Sequence, residues 1–171
     1  VGSQEECTKN EVKRARSDDP VALYQVGSKC NDRREYDRAL ECWTKSAGLG
    51  YAESHYSLHC CYRDGQGVEK DKKKEVYHLE EAAIGGHPMA RYNLGIYEEN
   101  RGRDDRAIKH FIIAAKLGYD DALEVVKEYF GSCPYLSKED FEATLREHQA
   151  AVDATKSSKR EEAHAFYSSI T

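Results

Sequence analysis

The residues best equipped for chemistry are His55, His59, Cys60 and Cys61. Two histidines four apart share one face of a helix, and imidazole with thiolate is a metal-binding set. The set lacks the glutamate of a His-Glu-x-x-His motif, and no second ligand pair stands at a fixed distance from it. Cys7, Cys30, Cys42 and Cys133 complete six cysteines with no Cys-x-x-Cys pair and no repeated spacing, so reduced structural thiols are expected and a metal is not. The loop Asp64 to Val68, with Gly65 and Gly67, offers backbone N–H groups to a phosphate. It has no following Lys-Ser/Thr and no strand before it, so a turn between two helices fits it better. Gln66 and Val68 also stand where a calcium loop needs charged oxygen ligands. The basic run from Lys70 to Lys74 is broken or flanked by Glu69, Asp71 and Glu75 and reads as a solvated helix start. No serine sits in a Gly-x-Ser-x-Gly elbow. The expectation is no catalytic residue, no cofactor and no metal.

These residues sit on a chain of 171 residues, 39% hydrophobic and 33% charged, which suffices for one globular or repetitive domain. A mean hydropathy of -0.84 and the lack of any long apolar run exclude a membrane-spanning helix and a hydrophobic leader segment, so a soluble protein is expected. The formal net charge of -5 argues against a nucleic-acid partner, whose phosphates call for a basic surface. The free thiols point to a cytoplasmic or other reducing intracellular compartment. A start at Val1 rather than Met suits a piece of a longer protein.

The sequence repeats itself. Ala22 to Gly27, Ser54 to His59 and Ala90 to Gly95 align without gaps, each with a tyrosine third: Tyr24, Tyr56 and Tyr92. A weaker fourth copy runs from Ala122 to Lys127, with Glu124 at the tyrosine place. The steps are 32, 36 and 32 residues, the four extra ones forming a loop in the second copy. After each of the first three stretches comes a second pattern: Ala39, Trp43, Ala47, Gly50; then Val76, Leu79, Ala83, Gly86; then Ala107, Phe111, Ala115, Gly118. Apolar residues at these intervals make one helical stripe, and the glycine suits a left-handed cap. Trp43, Leu79 and Phe111, with the alanines and glycines after them, are the expected structural positions of each copy.

Helices of about 12 residues are marginal alone and must stack on neighbours to hide their stripes. The fold expected is an all-α, right-handed α-solenoid of four helix hairpins. Residues 19–50, 51–86, 87–118 and 119–150 form the copies, 1–18 an N-terminal linker or extension, and 151–171 a capping helix and tail. A break at Lys156 to Lys159 would precede a short final helix with Ala163, Phe166 and Tyr167 as its apolar face, able to cover Phe130, Phe141 or Leu145.

The recurring alanine, the Leu-Gly, the Gly65–Gly67 loop before Asp71, the Ala-Ala and the closing glycine together resemble the Sel1-like repeat, a relative of the tetratricopeptide helix pair. The resemblance covers about residues 19–150 and implies a protein-binding scaffold. The phrases Tyr62 to Lys70, His78 to Gly86 and His148 to Thr155 resemble microalgal proteins in which a RING-type zinc module precedes such repeats. That resemblance implies substrate recruitment within a ubiquitin ligase as an alternative, with the zinc module absent from this chain. Some secreted Sel1-like proteins credited with antibiotic-ring binding or cleavage carry a cysteine pair in most repeats. Here only the first copy offers one, Cys30 and Cys42, so a hydrolase is not expected.

Equal places in stacked copies form a ladder, so Tyr24, Tyr56, Tyr92 and Glu124, with Ser28, Cys60, Ile96 and Glu128 one turn on, are the candidate partner-binding face. The tyrosines have two possible fates. Packing on the next copy with the hydroxyl exposed is preferred; lining a peptide-binding groove is the other.

Overall fold

The computed structural model describes residues 19–169, with residues 160 and 163–169 by backbone alone. The expected linker over 1–18, Cys7 and the apolar face of Ala163, Phe166 and Tyr167 lie outside what is described. Eight helices make up the described chain: α1 Pro20–Asp32, α2 Tyr36–Gly48, α3 Ala52–Asp64, α4 Lys72–Ile84, α5 Pro88–Glu99, α6 Asp104–Lys116, α7 Asp120–Tyr129 and α8 Lys138–Ser169. No strand occurs among the described residues, and the architecture is an all-α repeat.

Local chemistry explains the boundaries. The Asp19 carboxylate accepts from the Val21 and Ala22 N–H groups, and Pro20 starts α1 where no donor is needed. Asp71 does the same for α4, accepting from Lys73 and Lys74, so the basic run is the first turn of a helix. Gly50, Gly86 and Gly118 close the second helices at φ 85°, 86° and 88°, a region costly for other residues. Gly67 has φ 74°, and a Cβ there would stand 2.6 Å from Tyr36 Cβ, so the glycine loop is a turn pressed onto α2.

The chain forms two compact units, one up to Ala90 and one from Arg91. In the first, Cys30, Ala39, Trp43, Ala47, Leu58 and Cys61 form a buried cluster joined by Tyr24, Val26, Leu40 and Val68. Trp43 crosses α1 at Gly27, where an added Cβ would lie 2.7 Å from the indole. A buried hydroxyl relay fixes three segments: Ser54 donates to Ser46 Oγ at 2.7 Å, and Ser46 donates to the Pro20 carbonyl at 2.6 Å. In the second unit, Ala107, Ile108, Phe111, Ala114 and Ala115 of α6 meet Ala122, Leu123 and Val126 of α7 and Leu136. Phe111 crosses α5 at Gly95, the counterpart of Gly27, where a Cβ would lie 2.4 Å from the ring. Burying that phenylalanine contributes about 1.5–3 kcal/mol. In the second copy His59 takes the glycine place and the smaller Leu79 takes the Trp43 and Phe111 place, both buried. Volume added on one helix is removed from the other.

The C-terminal segment departs from the expectation. No break occurs at Lys156 to Lys159; α8 runs unbroken for 32 residues, about 48 Å at 1.5 Å per residue. The reason is compositional: 138–169 holds no glycine or proline, and the Ser157–Ser158 pair weakens a helix without ending it. The first half of α8 is held by contacts to its own unit. His148 Nδ1 lies 2.8 Å from the Ala115 carbonyl, Lys116 pairs with Glu147 at 2.9 Å, and Ala151 lies under Gly118. Phe141 of α8 stacks on Phe130 with ring centroids 4.0 Å apart. The start of this helix therefore meets one face of Phe130, which stays partly exposed. Residues 153–159 are exposed throughout.

Candidate interaction surfaces

On the first helix of each of the first three copies the tyrosine is half-buried and seated against the residue that follows the cap glycine of its own copy. Tyr24 meets Tyr51 edge-on at 5.4 Å, and Tyr56 stacks on His87 at 4.2 Å with the planes 15° apart. Tyr92 meets Tyr119 at 5.2 Å and Phe111 at 5.5 Å. Each ring thus sits at the junction between one copy and the next. Sequence reasoning missed the seats, although Tyr51, His87 and Tyr119 each directly follow Gly50, Gly86 or Gly118 and were visible as a second aromatic register. The Tyr56 hydroxyl donates to Met89 Sδ at 2.8 Å, and His87 Nε2 lies 3.2 Å from a Glu53 carboxylate oxygen. His87 Nδ1 accepts from the Ala90 N–H, which fixes its proton on Nε2 and makes the ring a helix cap.

One turn further along, the side chains differ in exposure. The Ser28 hydroxyl donates back to the Tyr24 carbonyl and Cys60 is half-buried, whereas Ile96, Glu124 and Glu128 are exposed. Glu124 pairs with Lys127 at 2.8 Å, leaving little charge for a partner from that residue alone. Leu23 and Cys30 are buried on α1 as expected, but Tyr24 reaches the same cluster as Val26 despite pointing elsewhere around the helix.

The His-Cys set of α3 disperses into structural roles. His55 Nε2 lies 3.1 Å from the Ala47 carbonyl, so it carries the proton and donates. The bare His55 Nδ1 then accepts from His78 Nδ1–H, also at 3.1 Å. His59 Nδ1 donates to the Glu75 carbonyl at 3.1 Å, while Cys61 is packed in the core. Burial holds the His59 imidazole below its ordinary value and pushes His78 down to about 4, with His55, His59 and Lys74 adding to the effect on His78. Burial pushes the Cys42 and Cys60 thiols up, and Cys61 to about 11, the opposite of what a thiolate nucleophile needs. Among the described residues no group of three or more His, Cys, Asp or Glu is placed to hold a metal ion, and no helix is long and apolar enough to cross a membrane.

The repeated pairing of short helices has counterparts in solved structures. The crystal structure of a Sel1 repeat protein from Oxalobacter formigenes superimposes with a TM-score of 0.64 at 25% identity, covering 71% of this chain and 97% of that one. The chain has the Sel1-like repeat fold. A second Sel1-like structure, c5321, a protective antigen present in uropathogenic Escherichia coli strains, matches 85% of this chain with a TM-score of 0.64 at 24% identity, and covers 33% of that antigen. No family model matches the sequence. Among curated proteins, the Saccharomyces cerevisiae chitin synthase regulator SKT5 is 36% identical over 63 residues, 37% of this chain and 9% of that protein. Protein bimA of Emericella nidulans is 29% identical over 107 residues, 61% of this chain and 13% of bimA. The S. cerevisiae protein SHC1 is 38% identical over 60 residues, 35% of this chain and 12% of its own length. The Sel1-like segment thus spans a small fraction of the curated relatives it matches. None of these names bears on the microalgal RING-containing proteins.

Proposed function

We propose that this Sel1-like chain is a non-catalytic scaffold that binds a protein or peptide along the exposed faces of its first helices. The observation that carries the reading is the repetition of one arrangement, a half-buried tyrosine with a variable residue one turn on: Tyr24 with Ser28, Tyr56 with Cys60, Tyr92 with Ile96. The constant rings hold the junctions, and the variable residues are free to choose a partner. The Cys42, Cys60 and Cys61 thiols, whose ionisation burial opposes, and the structurally engaged histidines support a role without catalysis. The match to a segment of a chitin synthase regulator also suits a binding module within a larger protein.

The test separates surface from junction. Ile96→Asp and Glu128→Lys change exposed side chains and should leave the melting temperature within about 2 °C. Affinity capture from the source cell, read by quantitative mass spectrometry, should lose a defined set of proteins with these variants. An unchanged set from a folded double variant would reject the first-helix face as the binding surface.

A further inference from the structure

A recess of about 470 Å³ opens in the first unit between the last turn of α2 and helices α3 and α4. Its wall includes Thr44, Ala47, Gly48, Gly50, His55, Leu58, Tyr77, His78 and Glu81, none of them on the candidate first-helix face. Small residues at Ala47, Gly48 and Gly50 make the space. The groups around it share one electrostatic character.

Four features favour a positive charge. The end of α2 presents the negative pole of its backbone dipole, and Lys45, the basic residue of that turn, lies outside the wall and bonds Glu41 at 2.7 Å. Glu81 is the one formally charged residue in the wall, and no ion pair engages its carboxylate among the described residues. The imidazoles add no opposing charge. Because His55 donates to the Ala47 carbonyl and receives from His78 Nδ1–H, His78 Nε2 faces away from that bond and carries a lone pair in the neutral ring. The low proton affinity of buried His78 agrees with that assignment. Tyr77 is more than half exposed, and its ring lies edge-on to His78 at 5.0 Å, leaving an aromatic face for a cation. Lys74, a nearby lysine, is placed over the Tyr62 ring at 5.0 Å instead.

We propose that this recess receives a cationic side chain, an arginine or lysine of a partner protein's segment, held by Glu81, the Tyr77 ring, the His78 lone pair and the carbonyl end of α2. The chain's net charge of -5 favours approach of such a basic segment. The inference rests on the scaffold reading and adds a second point of contact, on residues the first-helix face does not use.

The probe is N-acetyl-arginine N-methylamide, titrated into the full chain at pH 7.5 while the His and Tyr ring resonances are followed by NMR. N-acetyl-lysine N-methylamide and the uncharged isostere N-acetyl-citrulline N-methylamide serve as comparisons. Saturable shifts at His55, His78 and Tyr77 are expected for arginine, lysine or both, with dissociation constants of about 1–10 mM for one side chain. Citrulline should bind about tenfold more weakly, and Glu81→Gln should weaken the cationic probes by a similar factor. The proposal is overturned if neither cation shifts these rings, if citrulline matches arginine, or if Glu81→Gln leaves binding unchanged in a variant whose melting is normal. A silent recess beside first-helix variants that still lose capture removes this inference alone. Arginine binding beside an inert first-helix face removes the other reading and keeps this one.

Discussion

Replacing Gly95 by alanine sets two effects of opposite sign against each other. In a helix interior the change should add about 1 kcal/mol from propensity. Here the new Cβ would stand 2.4, 2.7 and 2.9 Å from three carbons of the Phe111 ring. Carbon atoms rest at about 3.5–4.0 Å, so the ring must retreat by about 1 Å into a cluster with no exposed side to yield. Such overpacking costs about 1–3 kcal/mol, leaving Gly95→Ala net destabilising by about 1–2 kcal/mol. The second copy shows the remedy, since it pairs a bulkier first-helix residue with leucine. Phe111→Leu alone should cost about 1–2 kcal/mol for lost volume. The double variant should be more stable than the summed penalties by about 1–2 kcal/mol. Urea denaturation of the four proteins at equal slope gives the cycle. A stabilising Gly95→Ala, or single changes that add within about 0.5 kcal/mol, would refute the account of how the paired helices share volume.

Acid should weaken the first unit in a defined window. Folded His78 takes its proton only near pH 4, whereas the unfolded ring takes it near 6.5, so stability falls as pH drops through that interval and levels off below it. The full shift corresponds to about 3 kcal/mol, reduced to about 2 for a half-buried ring; His78→Leu should flatten the pH profile of urea midpoints, with His59 retaining a smaller slope. Arg34 holds φ 63° in the turn where the third copy has Gly102 at 68°. Arg34→Gly should therefore raise stability by about 0.5–1 kcal/mol in thermal melts, and a loss would contradict the strain assignment. Ser158→Pro should remove helical ellipticity from the exposed half of α8 yet shift the melting midpoint by no more than about 1 °C, and a larger drop would show that this half supports the repeats.

The hairpins were legible because Trp43, Leu79 and Phe111 recur at fixed distances from capping glycines, and both signals are local to the chain. The asymmetry of Gly27 against Trp43, and of Gly95 against Phe111, was legible only as small residues; the crossing that demands them depends on two helices at once. The long α8 was misread because a serine pair was weighted as a break when neither serine forbids helical dihedrals. His55 and His59 carried the spacing of metal ligands, yet what decides their roles is the carbonyls they face. Ala47 and Glu75 contribute those acceptors, and backbone atoms leave no trace in residue identity. The tyrosine seats fell between these extremes. Their partners stood in the sequence, but only stacking tells which register touches which.

The seats at Tyr51, His87 and Tyr119 bear on how such chains grow. Each joint is closed by residues belonging to adjoining repeats, and the two inner modules each carry both a ring and the socket for the ring before it. Duplicating a module therefore copies both halves of the coupling, and excising one brings a compatible ring and socket together again, so length can drift in whole modules while the lining is free to diversify.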